Sequence, residues 1–134
     1  MAEEKPASHE GKKILFVEDD KFFRDMIAQK LSGTKYVALN APSGDDAMKI
    51  LETEMPDVIL LDLMLPGERD GFQVLKEVRE NDKTKHIPVI VLSNLSDQES
   101  INRCMKFGVF RYLTKSSVVP SDVITHIASV FAVK

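Results

Sequence analysis

The sequence contains a single cysteine, Cys104, and no excess of positive charge. One cysteine excludes an internal disulfide, and no cysteine or histidine pair has the spacing of a zinc site, so we expect a reducing compartment such as the cytoplasm. The net charge of −3 gives the chain no electrostatic reason to bind nucleic acid by itself.

Long apolar runs are also absent. Residues 1–12 are polar and contain no stretch like the core of a signal peptide. No later run approaches the ~20 apolar residues that cross a bilayer, so no membrane contact is expected. Residues 1–11 mix charge, Pro6 and small residues, which predicts a disordered lead. Residues 12–134 suit one domain with a core and are too few for two typical domains.

What the chain does contain is an alternation of short apolar runs with amphipathic segments. The apolar runs predict five strands, over residues 13–17, 36–39, 57–61, 87–92 and 110–114. Helical spacing predicts a helix after each strand, with caps or stops at Ser43, Asp97 and Gly33. This alternation predicts a flavodoxin-like α/β/α fold with a doubly wound parallel sheet. The expected strand order is 2-1-3-4-5, although alternation alone does not fix it.

Polar residues that could bind a ligand or take part in a reaction stand where these strands end. They are Glu18, Asp19 and Asp20 after the first strand, Asp62 after the third, Ser93 and Asn94 after the fourth, and Lys115 after the fifth. Because ligands bind at the carboxyl ends of strands in such sheets, we expect these side chains to share one edge.

The chemistry of this group indicates phosphoryl transfer. Crowded carboxylates repel one another unless a cation compensates, and oxygen ligands of this kind suit Mg²⁺. With the metal bound, Asp62 can stay ionised and attack phosphorus as a nucleophile, forming an acyl phosphate. Lys115 and the Ser93 hydroxyl can then contact the remaining phosphoryl oxygens and share their negative charge.

Five stretches carry a resemblance to a known family. In chain order they are residues 14–20 (ILFVEDD), 57–67 (DVILLDLMLPG), 70–72 (DGF), 88–93 (PVIVLS) and 112–115 (YLTK). Together they resemble the receiver domain of bacterial response regulators, the phosphoacceptor domain of two-component systems, and the resemblance runs from about Lys13 to the C-terminus. It implies a regulatory phosphoacceptor rather than an enzyme, one that catalyses only its own phosphorylation and a slow dephosphorylation.

The resemblance also implies roles for the acids. Asp62 matches the phosphoacceptor, and Asp19 matches a direct ligand of Mg²⁺. Glu18 would reach the metal directly or through water, and the backbone carbonyl of Met64 would supply another oxygen. Asp20 occupies a position that varies in the family, and it equally suits a helix cap.

The same resemblance implies a switch. Ser93 matches the family's Ser/Thr switch position, Tyr112 its aromatic partner, and Lys115 its lysine. The implied phosphoryl donor is a histidine kinase or a histidine phosphotransfer protein. The implied readout is an output protein or a second copy of the chain, bound through the face of the fourth helix, fifth strand and fifth helix.

The chain departs from the family pattern in three places. Ser116 replaces a proline that is usually joined to the lysine by a cis peptide, which leaves the Lys115–Ser116 bond open to either isomer. Asn94 stands where a small residue is common, so we expect an altered phosphoryl lifetime. The loop over residues 66–71 is one residue longer than the common pattern.

Three other readings follow from these residues. Ser116 and Asn94 are compatible with a pseudo-receiver that serves only as a docking module. An aspartyl phosphatase would need a second acid two residues after the nucleophile, where Met64 stands. A flavin module would need a phosphate cradle rich in Ser, Thr and Gly, which no strand end offers.

Overall fold

The protein is described by a computed structural model that covers residues 11–132, so the predicted lead lies outside the described residues except for Gly11. The strands are β1 (Lys13–Val17), β2 (Val37–Ala41), β3 (Val58–Leu61), β4 (Val89–Ser93) and β5 (Arg111–Thr114). The helices are α1 (Lys21–Ser32), α2 (Gly44–Thr53), α3 (Gly71–Glu80), α4 (Gln98–Lys106) and α5 (Pro120–Ala132). A short 3₁₀ turn over Lys115–Ser117 follows β5.

The strands form one parallel sheet in the order β2-β1-β3-β4-β5, which confirms the predicted fold and strand order. All residues of β3 and β4 are buried, as their unbroken apolar sequences predict for strands covered on both faces. The edge strands β2 and β5 each leave residues exposed. The predicted site acids follow β1 and β3 in the middle of the sheet, and Lys115 follows the edge strand β5.

Helices cover both faces of the sheet. On one face, Leu15 and Val17 of β1 belong to a core cluster with buried residues of α2, α3 and α4. On the other, Ile14 and Phe16 pack in a cluster with buried residues of α1 and α5. Successive strand residues therefore point to opposite layers, as the period of two in a strand requires. Within residues 11–132, no helix combines the length and apolar character that crossing a membrane would need.

The predicted caps at Ser43 and Asp97 and the predicted stop at Gly33 are confirmed. The side chains of Ser43 and Asp97 accept hydrogen bonds from the first turns of α2 and α4, and Gly33 ends α1. Asp20 caps α1 by accepting from the N–H of Phe23. Asp20 is thus a helix cap on the rim of the acidic edge.

The fourth strand begins later than the sequence pattern predicts. Ile87 is buried, but its N–H donates to the carbonyl of Thr84 at 3.0 Å and so belongs to a turn. Pro88 has no N–H for the sheet, although its carbonyl accepts from Ile59 at 3.0 Å. The regular strand therefore starts at Val89, and it extends through Ser93, which pairs with Thr114.

Two glycines let the β3–α3 loop pack closely. A Cβ added at Gly71 would lie 2.2 Å from the backbone oxygen of Asp62, and one at Gly44 would lie 2.3 Å from that of Arg69. Arg69 in turn pairs with Asp45 and Glu77 on the flanking helices. The loop after Asp62 is thus held against α2 and α3.

Replacing Gly71 with alanine is expected to destabilise the protein by about 2–3 kcal/mol, because the new methyl group meets backbone that cannot move cheaply. Gly33→Ala is the matched control: its Cβ would meet nothing closer than 3.6 Å, so a change within about 0.5 kcal/mol is expected. Urea unfolding of both variants measures the difference. Equal stability would show that the close packing at Gly71 is not required.

Candidate functional site

Sheet register brings the acids together. Val17 at the end of β1 pairs with Leu61 at the end of β3, so the next residue of each strand, Glu18 and Asp62, emerges side by side. The N–H of Asp62 donates to the carbonyl of Val17 at 3.0 Å, which extends this register. Single carboxylate oxygens of Glu18, Asp19 and Asp62 all lie within 4.8 Å of one another. Three of the predicted site residues therefore form one cluster.

The cluster is buried on one side and open on the other. Glu18 is fully buried and Asp62 is 3% exposed, whereas Asp19 is exposed. Asp19 is thus the member of the cluster that faces solvent.

Lys115 supplies the positive charge of the cluster. Its Nζ donates to Oδ2 of Asp62 at 3.0 Å and lies 2.6 Å from Oε1 of Glu18. Burial alone would lower the pKa of Lys115, but its contacts with Glu18 and Asp62 outweigh that effect, so its pKa is raised and the ammonium persists. The lysine is the counter-ion of two buried acids.

Glu18 keeps unused capacity to bind a cation. Its Oε2 accepts from the N–H of Asp20 at 3.0 Å. Its buried Oε1 accepts no hydrogen bond of good geometry, although Lys115 lies in ion-pair contact. Burial raises the pKa of Glu18 to about 7, while Lys115 and the Asp20 N–H oppose the rise. Three carboxylates with oxygens within 4.8 Å of one another are a ligand set that fits a hard divalent cation.

Asp62 is oriented by contacts to both of its oxygens. The N–H of Met64 donates to Oδ1 at 3.2 Å, and Lys115 donates to Oδ2. The backbone of Met64 thus lies against the acid, and metal binding by its carbonyl stays a prediction.

Ser93 and Tyr112 both form hydrogen bonds with the backbone of Leu95, a residue that the sequence did not single out. The buried hydroxyl of Ser93 accepts from the Leu95 N–H at 3.3 Å, and the Tyr112 hydroxyl donates to the Leu95 carbonyl at 2.6 Å. Burial, with nearby Cys104, Asp97 and Asp62, raises the pKa of Tyr112 to about 12, so the hydroxyl keeps its proton. Both predicted switch residues therefore bind the β4–α4 loop.

Two residues of α1 also support the site. The ring of Phe23 lies against the Lys115 ammonium, 4.7 Å from Nζ to the ring centroid, and Arg24 donates to the carbonyl of Glu18 at 2.8 Å. Phe23 was not among the site residues predicted from the sequence. The available signal was the cap at Asp20, since helical side chains lean toward the N-terminus of their helix and so toward the strand ends.

The departures from the family pattern have simple structural outcomes. The Lys115–Ser116 peptide is trans, as are the other peptide bonds of residues 11–132. Asn94 is exposed, and its effect on phosphoryl lifetime stays a prediction.

Comparison with known proteins gives consistent matches. A family model described as "Response regulator receiver domain" matches residues 14–128. The phosphate regulon transcriptional regulatory protein PhoB of Escherichia coli (strain K12) is 33% identical over 120 residues, which cover 90% of this chain and 52% of PhoB. The chain therefore spans about half the length of that regulator.

Solved structures agree. The Mn²⁺-bound form of the response regulator Rcp1 matches with a TM-score of 0.77 and 30% identity, over 89% of this chain and 91% of Rcp1. The phosphorylated cyanobacterial phytochrome response regulator RcpA matches with a TM-score of 0.77 and 32% identity, over 90% of this chain and 91% of RcpA.

Tyr112→Phe removes one hydroxyl donor and is expected to reduce the free energy of unfolding by about 0.5–1.5 kcal/mol, the usual net value of such a hydrogen bond. Amide hydrogen exchange should quicken in residues 94–97, where the tyrosine binds. Unchanged stability and unchanged exchange in that loop would show that the hydroxyl does not hold it.

Proposed function

The chain belongs to the response regulator receiver domains of two-component systems, and on that basis we propose that Asp62 accepts a phosphoryl group from a histidine kinase or a histidine phosphotransfer protein. One observation carries the proposal: Asp62 lies between the Lys115 ammonium and the Met64 N–H, with oxygens of Glu18 and Asp19 within 4.8 Å. The role is regulatory, and the proposed location is the cytoplasm, as expected for a chain whose one cysteine is a buried free thiol.

The transfer needs little covalent chemistry from the protein. An oxygen of ionised Asp62 forms a bond to phosphorus, the phosphorus–nitrogen bond of the donor breaks, and the donor imidazole keeps the electron pair. Lys115 already contacts Oδ2 of Asp62, so its ammonium is placed to neutralise charge on the phosphoryl oxygens as they arrive.

Glu18, Asp19 and Asp62, with the carbonyl of Met64, are the residues we propose to hold Mg²⁺. The bound ion supplies positive charge that lets the carboxylates stay ionised together and offsets the charge of the phosphoryl oxygens. In the described structure, Lys115 alone performs part of that task for Glu18 and Asp62.

Ser93 and Tyr112 would transmit the phosphorylation of Asp62 to the protein surface. A phosphoryl group on Asp62 offers the Ser93 O–H new acceptor oxygens, and a Ser93 side chain that turns toward them would move its Oγ away from the Leu95 N–H, from which it now accepts. A shift of Leu95 changes the carbonyl that Tyr112 binds. The face formed by α4, β5 and α5 would then favour a second arrangement, read by an output protein or a second copy of the chain.

Incubation with acetyl phosphate and Mg²⁺ should add the mass of a phosphoryl group to the wild type and not to Asp62→Asn, measured by intact mass spectrometry. Asp20→Asn is the matched control, because asparagine caps a helix as well as aspartate and Asp20 lies outside the carboxylate cluster. Equal labelling of all three proteins, or labelling without Mg²⁺, would refute the proposal.

Mg²⁺ should also stabilise the unmodified protein. An ion that binds only the folded state at a hundredfold excess over its Kd adds about 2.7 kcal/mol to the free energy of unfolding. We expect this gain in the wild type and in Asp20→Asn and a clear loss of it in Asp19→Asn, measured by urea unfolding with and without MgCl₂. A docking module without a metal site would show no gain in any of them.

A further inference from the structure

We propose that Phe23 is a positioning residue for Lys115: its ring covers the side of the ammonium that the carboxylates leave open and keeps Nζ beside Asp62. The inference rests on the proposed function, because it concerns how that lysine reaches the phosphoryl group. Three contacts define the surroundings of Nζ, namely Glu18 Oε1 at 2.6 Å, Asp62 Oδ2 at 3.0 Å and the Phe23 ring centroid at 4.7 Å.

The environment favours a real attraction between ring and ammonium. The side chain of Lys115 is only 11% exposed, and a cation over an aromatic face is held more strongly when it is withdrawn from water. An ammonium carries three N–H donors, and the carboxylates of Glu18 and Asp62 occupy two directions around it. The ring thus contributes electrostatically where a leucine would only fill space.

Phe23 is itself held in place from two directions. Its backbone N–H donates to the capping carboxylate of Asp20 at 3.2 Å, which fixes the first turn of α1. Its ring packs edge-on against Phe16, with centroids 6.4 Å apart and planes at 63°. Because Phe16 is fully buried in β1, the core of the protein determines where the ring lies.

The backbone around Lys115 does little to fix the position of its side chain. Lys115 opens the 3₁₀ turn, and the residue before it, Thr114, makes no side-chain capping hydrogen bond to that turn. Ser116 follows, and a serine does not restrict the backbone as a proline ring does. A four-carbon side chain in this position would otherwise have several rotamers in which Nζ leaves Asp62.

Phe23→Leu tests the ring, because it keeps apolar volume and removes the aromatic face. The rate of phosphoryl uptake from acetyl phosphate in Mg²⁺ is expected to fall by roughly three- to tenfold. Phe23→Tyr keeps the aromatic face and should take up the phosphoryl group at the wild-type rate. Phe22→Leu, one position away at a residue that is 79% exposed, should match the wild type. Phe23→Met is a second ring-free variant, should leucine prevent folding.

A double-mutant cycle separates positioning from general packing. Lys115→Met slows phosphoryl uptake by itself, and adding Phe23→Leu should then slow it no further, since the ring has no ammonium to hold. An unchanged Phe23→Leu penalty in the Lys115→Met background would overturn the inference, because the ring would then act through packing alone.

A readout independent of phosphoryl transfer comes from NMR. The Lys115 ε-methylene protons should be shifted upfield by the ring in the wild type and in Phe23→Tyr, and this shift should disappear in Phe23→Leu.

The possible failures are distinguishable. A wild type that is labelled, with Phe23→Leu labelled as fast, would overturn the positioning role and leave the proposed function standing. A wild type that takes up no phosphoryl group would overturn the proposed function and this inference with it.

Discussion

The contact of the Lys115 ammonium with Glu18 and Asp62 is the constraint on which the site depends. Parallel strands bring carboxylates to one sheet edge, where burial and mutual repulsion both oppose their ionisation. The charges can remain only if a cation lies between them, and breaking such a buried pair costs far more than a surface pair gains. Lys115 can reach both acids because its long side chain extends from the end of β5, past β4, to the ends of β3 and β1.

Other features of the molecule serve this geometry. The register of β1 with β3 places Glu18 beside Asp62, and Gly71 lets α3 begin against the backbone of Asp62. Arg24 of α1 donates a hydrogen bond to the Glu18 carbonyl, which fixes the position of α1 relative to the acids that precede it. The sheet therefore sets the backbone positions of the site, and contacts from the first turns of the helices set the positions of its side chains. The loops between these elements tolerate variation in sequence and length.

Much of this arrangement was predictable from the sequence. Short, largely apolar strands alternate with helices, and acids follow β1 and β3, a serine ends β4 and a lysine follows β5; this pattern predicts both a buried parallel sheet and the edge where ligands bind. The ring of Phe23 against Lys115 was not predicted, because an apolar residue at helical spacing serves a core equally well and the cap at Asp20 indicates only which way the side chain leans. The part played by Leu95 was also hidden, since a backbone N–H and carbonyl leave no signature in the sequence. The late start of β4 depends on a turn at Ile87 that the apolar pattern does not reveal.

The two ends of α4 are held very differently, and this difference bears on how a change at Asp62 could spread. At its C-terminal end, the Arg79 guanidinium donates to the carbonyl of Phe107 at 2.6 Å and ties it to the turn before β4 by a second hydrogen bond to the carbonyl of Ile87 at 2.7 Å. Burial lowers the pKa of this arginine. Before its N-terminal end, Leu95 makes two single hydrogen bonds besides its packing against the core: its N–H donates to the Ser93 hydroxyl, and its carbonyl accepts from the Tyr112 hydroxyl. A helix anchored at one end and lightly held at the other moves mainly at the lightly held end. That end follows the loop that begins at Ser93, the predicted switch residue, so a movement of Ser93 would act on the lightly held end of α4 first.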